Sequence, residues 1–173
     1  ERLQIWYVWR CHVDFRLMHT TYLSLGTNLG NKEENLQRAI QQITKRIGPV
    51  KAQSSFIETE PWGFQSPNKF LNAVICVETA LLPYELLHET QSIERAMGRK
   101  TKTYAIGGAS VPAYQDRIID IDILLYYEGT NPVPMQEKED WNGSIRISSP
   151  TLIIPHPYIK ERDFVLVPLK EIL

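Results

Sequence analysis

Cysteine is nearly absent: Cys11 and Cys76 are the only two in 173 residues, far apart and without metal-ligand spacing. That excludes a disulfide framework and a thiolate metal centre, and it fits a reducing cytosol. Cys76 falls in an apolar alternating segment and reads as core. Excess charge is lacking too, with a formal net value of −1 at pH 7. No general basic field recommends nucleic acid as a partner, so an anionic ligand would need local arginines. No apolar run is long enough to span a bilayer, and no membrane role is expected. Missing as well are a Gly-rich Lys phosphate loop, a G-x-G-x-x-G and a G-x-S-x-G.

What is present has an ordinary globular balance, 43% hydrophobic and 23% charged residues. The length fits one domain with a real core, expected over residues 18–173. Residues 1–17 mix Trp6, Tyr7, Trp9, Arg10, Cys11 and His12 with no clean period, and charge interrupts them too often for a secretory signal. They are expected to be an upstream extension, with Met18 as the native start. A cytoplasmic protein is the expectation.

The period of the apolar residues then assigns elements. Residues 20–25 alternate as a short strand ending at Gly26, and Thr27-Asn28-Leu29-Gly30-Asn31 is a turn. Asn31 with Glu34 three residues on resembles a capping box. Leu36, Ala39, Ile40, Ile43 and Ile47 then form one helical stripe, stopped by Gly48-Pro49. Residues 50–57 read as a strand leading into Thr59-Glu60-Pro61-Trp62-Gly63. Residues 70–78 alternate, with Leu71, Ala73, Ile75 and Val77 on one face and Phe70, Asn72, Val74 and Cys76 on the other. Pro83 opens a second helix whose buried side is Leu86, Thr90, Ile93 and Met97, closed by Gly98. Residues 100–115 have no usable period and are expected to be a mobile loop. Residues 128–149 form a polar insertion in which Asn142-Gly143 can turn a small hairpin. The order is βαββαβ, an α+β ferredoxin-like core with a mostly antiparallel sheet and helices on one face.

The densest chemistry lies in Arg117-Ile118-Ile119-Asp120-Ile121-Asp122. Positions 119, 121, 123 and 125 are aliphatic, so a strand here puts both carboxylates on the opposite face. Two charges about 5 Å apart repel by roughly 3 kcal/mol at an effective dielectric near 20. A divalent cation removes that cost, and oxygen-only ligation favours Mg²⁺. A solvated pair of acids fits the bare pattern equally well. Gln91 and Glu94 share a helical face, and Arg99 and Arg117 bracket the long loop. Arginine forks bind phosphate oxygens while paired acids bind metal, the needs of a polyphosphate. Pro155-His156-Pro157 with Arg162 and Phe164 is a further dense segment. Trp62, Phe70, Tyr114 and Phe164 are candidate walls for a flat heterocycle, with Asn72 reading its edge, although aromatics in strands are usually core.

Five ordered blocks of this sequence together resemble the 6-hydroxymethyl-7,8-dihydropterin pyrophosphokinase family. They are Leu25-Gly26-Thr27-Asn28-Leu29-Gly30, Phe70-Leu71-Asn72-Ala73, Glu94-Arg95-Ala96-Met97-Gly98-Arg99, residues 117–124, and Ile154-Pro155-His156-Pro157 with Arg162 and Phe164. The resemblance implies transfer of pyrophosphate from ATP to the pterin hydroxymethyl group in folate biosynthesis, releasing AMP. It implies two Mg²⁺ ions on Asp120 and Asp122, with Arg99 and Arg117 neutralising the β- and γ-phosphates. Gln91, Glu94, Ile123, His156 and Arg162 fall on the nucleotide side. Gly26, Thr59, Pro61, Trp62, Phe70, Asn72, Tyr114 and Phe164 fall around the pterin. A monomer acting on small molecules is expected.

The chain departs from the family's pattern in places. Tyr114 stands where a Trp is frequent, Thr59-Glu60-Pro61 where Thr-Pro-Pro is frequent, and the loop over 100–115 is longer than the common form. Two other classes compete. A non-catalytic ferredoxin-like binding module would need a basic, aromatic sheet face, where this chain has an acidic pair. A metal-dependent nucleotidyltransferase would use the same carboxylates to move AMP instead of pyrophosphate.

Overall fold

The computed structural model describes residues 17–99, 115–130 and 141–173. The expected extension over residues 1–17 falls outside that set except for Leu17, and so do residues 100–114 of the long loop and 131–140 of the insertion. Among the described residues seven strands and three helices follow in order: β1 (His19–Thr27), α1 (Lys32–Arg46), β2 (Val50–Gln53), β3 (Ile57–Thr59), β4 (Phe70–Thr79), α2 (Pro83–Ala96), β5 (Asp120–Glu128), β6 (Ile147–Ser148), β7 (Ile153–Ile154) and α3 (Asp163–Ile172). The main sheet has the order β2-β4-β1-β5, with β3 also on β4, and every pairing is antiparallel. This is the ferredoxin-like α+β arrangement that the element order predicts.

The first crossover forms as its sequence dictates. Asn31 caps α1, its Oδ1 accepting the Glu34 N–H at 3.2 Å. Leu36, Ala39 and Ile43 are buried on the sheet, and Lys45 and Arg46 occupy the last turn, where the helix dipole favours cations. Gly48 then passes so close to β4 that a Cβ would lie 2.0 Å from the Glu78 carbonyl oxygen. No other residue fits there. In α2, Pro83 occupies the first turn, and Glu85 reaches back to accept the Leu82 N–H at 2.8 Å. Leu86, Ile93 and Met97 join α1 and the inner sheet residues Leu23, Leu25, Ala73, Ile75, Val77, Ile121 and Ile123 in the larger core. Each fully buried aliphatic side chain there contributes about 1.5–3 kcal/mol relative to exposure.

Four features differ from the expectations. The strand over 50–57 is broken: Ser54 Oγ accepts the Val74 N–H at 2.9 Å, a side chain replacing a ladder partner, and pairing resumes at Ile57. Helices cover both faces, because α3 packs Val165 and Leu169 against Tyr22, Val74, Cys76 and Leu124 on the side opposite α1 and α2. Pro168 inside that helix hid it, since an internal proline ordinarily breaks the period. On β5 the parity fails after Ile123. Tyr22 pairs with Leu125 and Leu23 with Ile123, so Leu124 is a bulge and Leu125 turns to the α3 face. Finally, Asn142-Gly143 does form a turn, but the short hairpin pairs β6 with β7 across Ser149 and Leu152.

Candidate active site

The α3 face of the sheet changes character along the strand axis. Gly26 pairs with both Asn72 and Asp120, and Ser24 pairs with Asp122, so these polar residues project together at one end. Thr59 on β3, Phe70 on β4, and Arg162 and Phe164 at the start of α3 complete the walls. The resulting open cleft encloses about 460 Å³, counting the space at its mouth, and also meets Glu60, Trp62 and Arg117.

One wall is aromatic and amide. Asn72 Nδ2 donates to Thr59 Oγ1 at 2.9 Å, which fixes the carboxamide and directs its oxygen across Gly26. A Cβ at Gly26 would sit 3.0 Å from that oxygen and 3.8 Å from the Phe70 ring. The missing side chain is therefore part of the cleft's shape. Arg117 lies over Phe70 at 5.1 Å from its ring centroid. Across the cleft, the Arg162 guanidinium stacks on Trp62 at 4.4 Å and on Tyr158 at 4.9 Å, with Phe164 at 5.8 Å.

The opposite wall is ionic. Arg99 Nη1 donates to Glu94 Oε1 at 3.0 Å, to the Ile119 carbonyl at 3.3 Å, and to Asp120 Oδ1. Arg117 Nε lies 3.3 Å from the other Asp120 oxygen, and Arg162 Nη1 lies 4.0 Å from Asp122 Oδ2. Burial opposes the Arg99 charge, but Asp120 foremost and then Glu94 outweigh it, leaving the guanidinium pKa above its ordinary value. Positive and negative groups thus alternate along this wall. Polyanionic substrate could meet the arginines, and a cation the acids. Asp120 and Asp122 are an oxygen-only donor pair of the kind Mg²⁺ takes. Among the described residues no group of three or more His, Cys, Asp or Glu converges, so phosphate and water would have to fill the remaining positions of a bound ion.

Of the residues singled out by sequence, Gly26, Thr59, Trp62, Phe70, Asn72, Arg117, Asp120, Asp122, Arg162 and Phe164 all line the cleft. Arg99 stands directly behind Asp120. Pro61 lies between two lining residues, Glu60 and Trp62. Glu94 sits beneath the floor, 1% exposed, with Oε1 accepting the Ile121 N–H at 2.7 Å. Ile123 points to the other side of the sheet, into the core under α1 and α2. Gln91 is on α2, half-buried and away from the cleft's lining. His156 is tied to β5 through its backbone N–H, which donates to the Leu124 carbonyl at 2.9 Å. Tyr114 lies outside the described residues.

Ser24 and Glu60 line the cleft without having been singled out. Ser24 shares strand parity with Gly26, a signal the sequence did contain. Asn28, Asn68 and Asp116 were also missed. Asn28 Nδ2 donates to Asp116 Oδ1 at 2.7 Å, and Asn68 Nδ2 donates to the other Asp116 oxygen at 2.8 Å. Hydrogen bonds from Ser66 first, then Asn68 and Asn28, hold the Asp116 carboxyl below the usual carboxylate range.

Comparison with known proteins gives the family and the fold. Residues 22–173 fit the sequence profile of the family described as 7,8-dihydro-6-hydroxymethylpterin-pyrophosphokinase. The 2-amino-4-hydroxy-6-hydroxymethyldihydropteridine pyrophosphokinase of Porphyromonas gingivalis is 43% identical over 155 residues, covering 90% of this chain and 91% of the relative. The mitochondrial folate synthesis bifunctional protein of Arabidopsis thaliana is 36% identical over 155 residues, 90% of this chain but 24% of that longer protein. A similar fold occurs in the crystal structure of wild-type Plasmodium falciparum HPPK-DHPS, with a TM-score of 0.60 at 15% identity. That match takes in 90% of this chain and 41% of the larger one.

Proposed function

The chain belongs to the 7,8-dihydro-6-hydroxymethylpterin-pyrophosphokinase family and is a pyrophosphokinase of folate biosynthesis, and from that premise we propose that ATP is its donor, 6-hydroxymethyl-7,8-dihydropterin its acceptor, and the cleft its active site. The observation that carries the assignment is the convergence of Arg99 and Arg117 on Asp120, with Asp122 beside it and Asn72 and Phe70 on the facing wall.

The pterin ring lies against Phe70 and Phe164, and Asn72, held by Thr59, reads its polar edge. A flat, apolar-faced heterocycle with hydrogen-bonding edges suits that slot. Its hydroxymethyl group then points to the acidic wall, where the triphosphate lies. Arg99 and Arg117 bind the phosphate oxygens, and their charge offsets what builds up on the transferred group as the pterin hydroxyl attacks the β-phosphorus and AMP departs. Asp120 and Asp122 would hold Mg²⁺, which supplies charge neutralisation at the attacking and leaving oxygens. Glu94 orients Arg99 from below, and Arg162 stands between the aromatic wall and Asp122, where it can meet either substrate. Gln91, Ile123 and His156 belong to the nucleotide side of this reading by family likeness, Ile123 through its backbone. Catalysis rests on alignment and charge; the pterin hydroxyl loses its proton to solvent as its bond to the β-phosphorus forms, and no side-chain base is assigned.

A monomer acting on small molecules is the form proposed here. The cytoplasm is the location proposed with this activity. AMP release from ATP and Mg²⁺, measured with and without hydroxymethyl-dihydropterin, tests the function. Pterin-dependent AMP with a pterin diphosphate product is expected. AMP found on the acceptor would instead assign a nucleotidyltransferase.

A further inference from the structure

Arg117 follows a chain segment with no regular period, yet its backbone is fastened at both polar atoms by one residue. The Asn28 side-chain Oδ1 accepts the Arg117 N–H at 2.8 Å, and the Asn28 backbone N–H donates to the Arg117 carbonyl at 3.1 Å. Asn28 Nδ2 donates at 2.7 Å to Asp116 Oδ1 and at 3.2 Å to the Asn68 carbonyl. Asn28 is 3% exposed and lies 89 positions before Arg117. Asn68, two residues ahead of Phe70, returns a bond to the second Asp116 oxygen at 2.8 Å. The end of β1, the entry to β4 and the approach to β5 therefore meet at one carboxamide.

We propose that Asn28 is a positioning residue for Arg117, setting the guanidinium against the triphosphate through the backbone of residues 116 and 117. This rests on the reading of Arg117 as a phosphate ligand. A side chain as long as arginine reaches the same point from many backbone positions, at a cost in rotamer entropy. Fixing the backbone N–H and C=O removes part of that freedom before substrate arrives. An amide is needed because one end must accept from Arg117 and the other must donate to Asp116. Aspartate cannot donate, and serine cannot span both.

The test is a thermodynamic cycle. Asn28→Asp keeps the acceptor for the Arg117 N–H and sets a second carboxylate against Asp116. With α,β-methylene-ATP and Mg²⁺ as the probe, Asn28→Asp is expected to weaken binding about tenfold in the otherwise native chain and less than about twofold in an Arg117→Ala background. Equal losses in both backgrounds, or native affinity in folded Asn28→Asp, overturn the proposal. Should Asn28→Asp not fold, Asn28→Ser enters the same cycle with the same two readings. Hydrogen exchange of the Arg117 amide in the nucleotide-free protein gives an arm that needs no activity. It is expected to quicken in Asn28→Ala, which removes the acceptor, and unchanged exchange there overturns the clamp. Absence of pyrophosphate transfer by the native protein would remove the functional reading while leaving the exchange result standing.

Discussion

The carboxylate of Glu94 accepts the backbone N–H of Ile121 at 2.7 Å, and Ile121 is the residue between the two aspartates. The same oxygen accepts from Arg99 at 3.0 Å. A single buried acid on α2 thus fixes the strand segment that presents Asp120 and Asp122 and the arginine behind them.

Removing that acid has a calculable consequence. Glu94→Ala leaves Arg99 buried with less compensating charge, and breaking such a pair costs about 3–5 kcal/mol. Glu94→Gln removes the same charge but keeps an acceptor for the Ile121 N–H, and is expected to lose about 1–2 kcal/mol less. Urea unfolding of the two variants checks the order. Equal losses would show that the retained acceptor is immaterial and that the charge on Glu94 carries the whole effect.

The two aspartates are expected to differ. Asp122→Ala should abolish pterin-dependent AMP formation with a smaller drop in melting temperature than Asp120→Ala, since the Asp122 side chain is the more exposed, 25% against 17%, and its contact with Arg162 spans 4.0 Å. Asp120→Ala should abolish activity and also destabilise, because Asp120 pairs with both Arg99 and Arg117. Calorimetry beside the activity assay separates them. Near-native turnover in either variant would refute the metal assignment.

Gly26→Ala tests the pterin wall. The new methyl would press on Asn72 Oδ1 from 3.0 Å, so the carboxamide must shift. A rise in KM for the pterin of roughly tenfold is expected, with KM for ATP little changed. An equal rise for both substrates would place the disturbance in the sheet instead of the slot.

Asp116 predicts an acid-sensitive contribution. Its folded pKa lies below the ordinary value of 3.8, so the stabilisation is fully present above that value and is lost as pH falls through the folded pKa. Native protein and Asp116→Asn should therefore differ in urea stability at pH 6 and converge as pH falls below 3.8 and through the folded pKa. A difference that stays constant over that range would mean the carboxylate's charge contributes nothing.

The sequence disclosed those parts in which one residue's neighbours along the chain decide its environment. The cap at Asn31, the α1 stripe and the two faces of β4 are periodic signals, and the structure has them. The acidic pair was visible because an alternating strand puts residues 120 and 122 on one face. What stayed hidden depends on partners distant in sequence. Glu94 is legible as a candidate for the nucleotide side, but its place under β5, accepting the Ile121 N–H, shows only once β5 is laid over α2. Asn28 reads as a turn residue until the chain before β5 returns to it. The bulge at Leu124 is an accommodation between β1 and β5, and no local pattern marks it.

That bulge divides one sheet face into a wet half and a greasy half. Past Leu124, the residues Leu125 and Tyr127 join Tyr22 and Cys76 as the seat of α3, whereas Asp120 and Asp122 stand on the near side with Ser24 and Gly26. The helix is anchored by a region that substrates do not enter, and only its leading end overhangs the cleft. Substitutions that retune the slot can then accumulate without loosening the helix, and changes in the helix seat can pass without reshaping the slot.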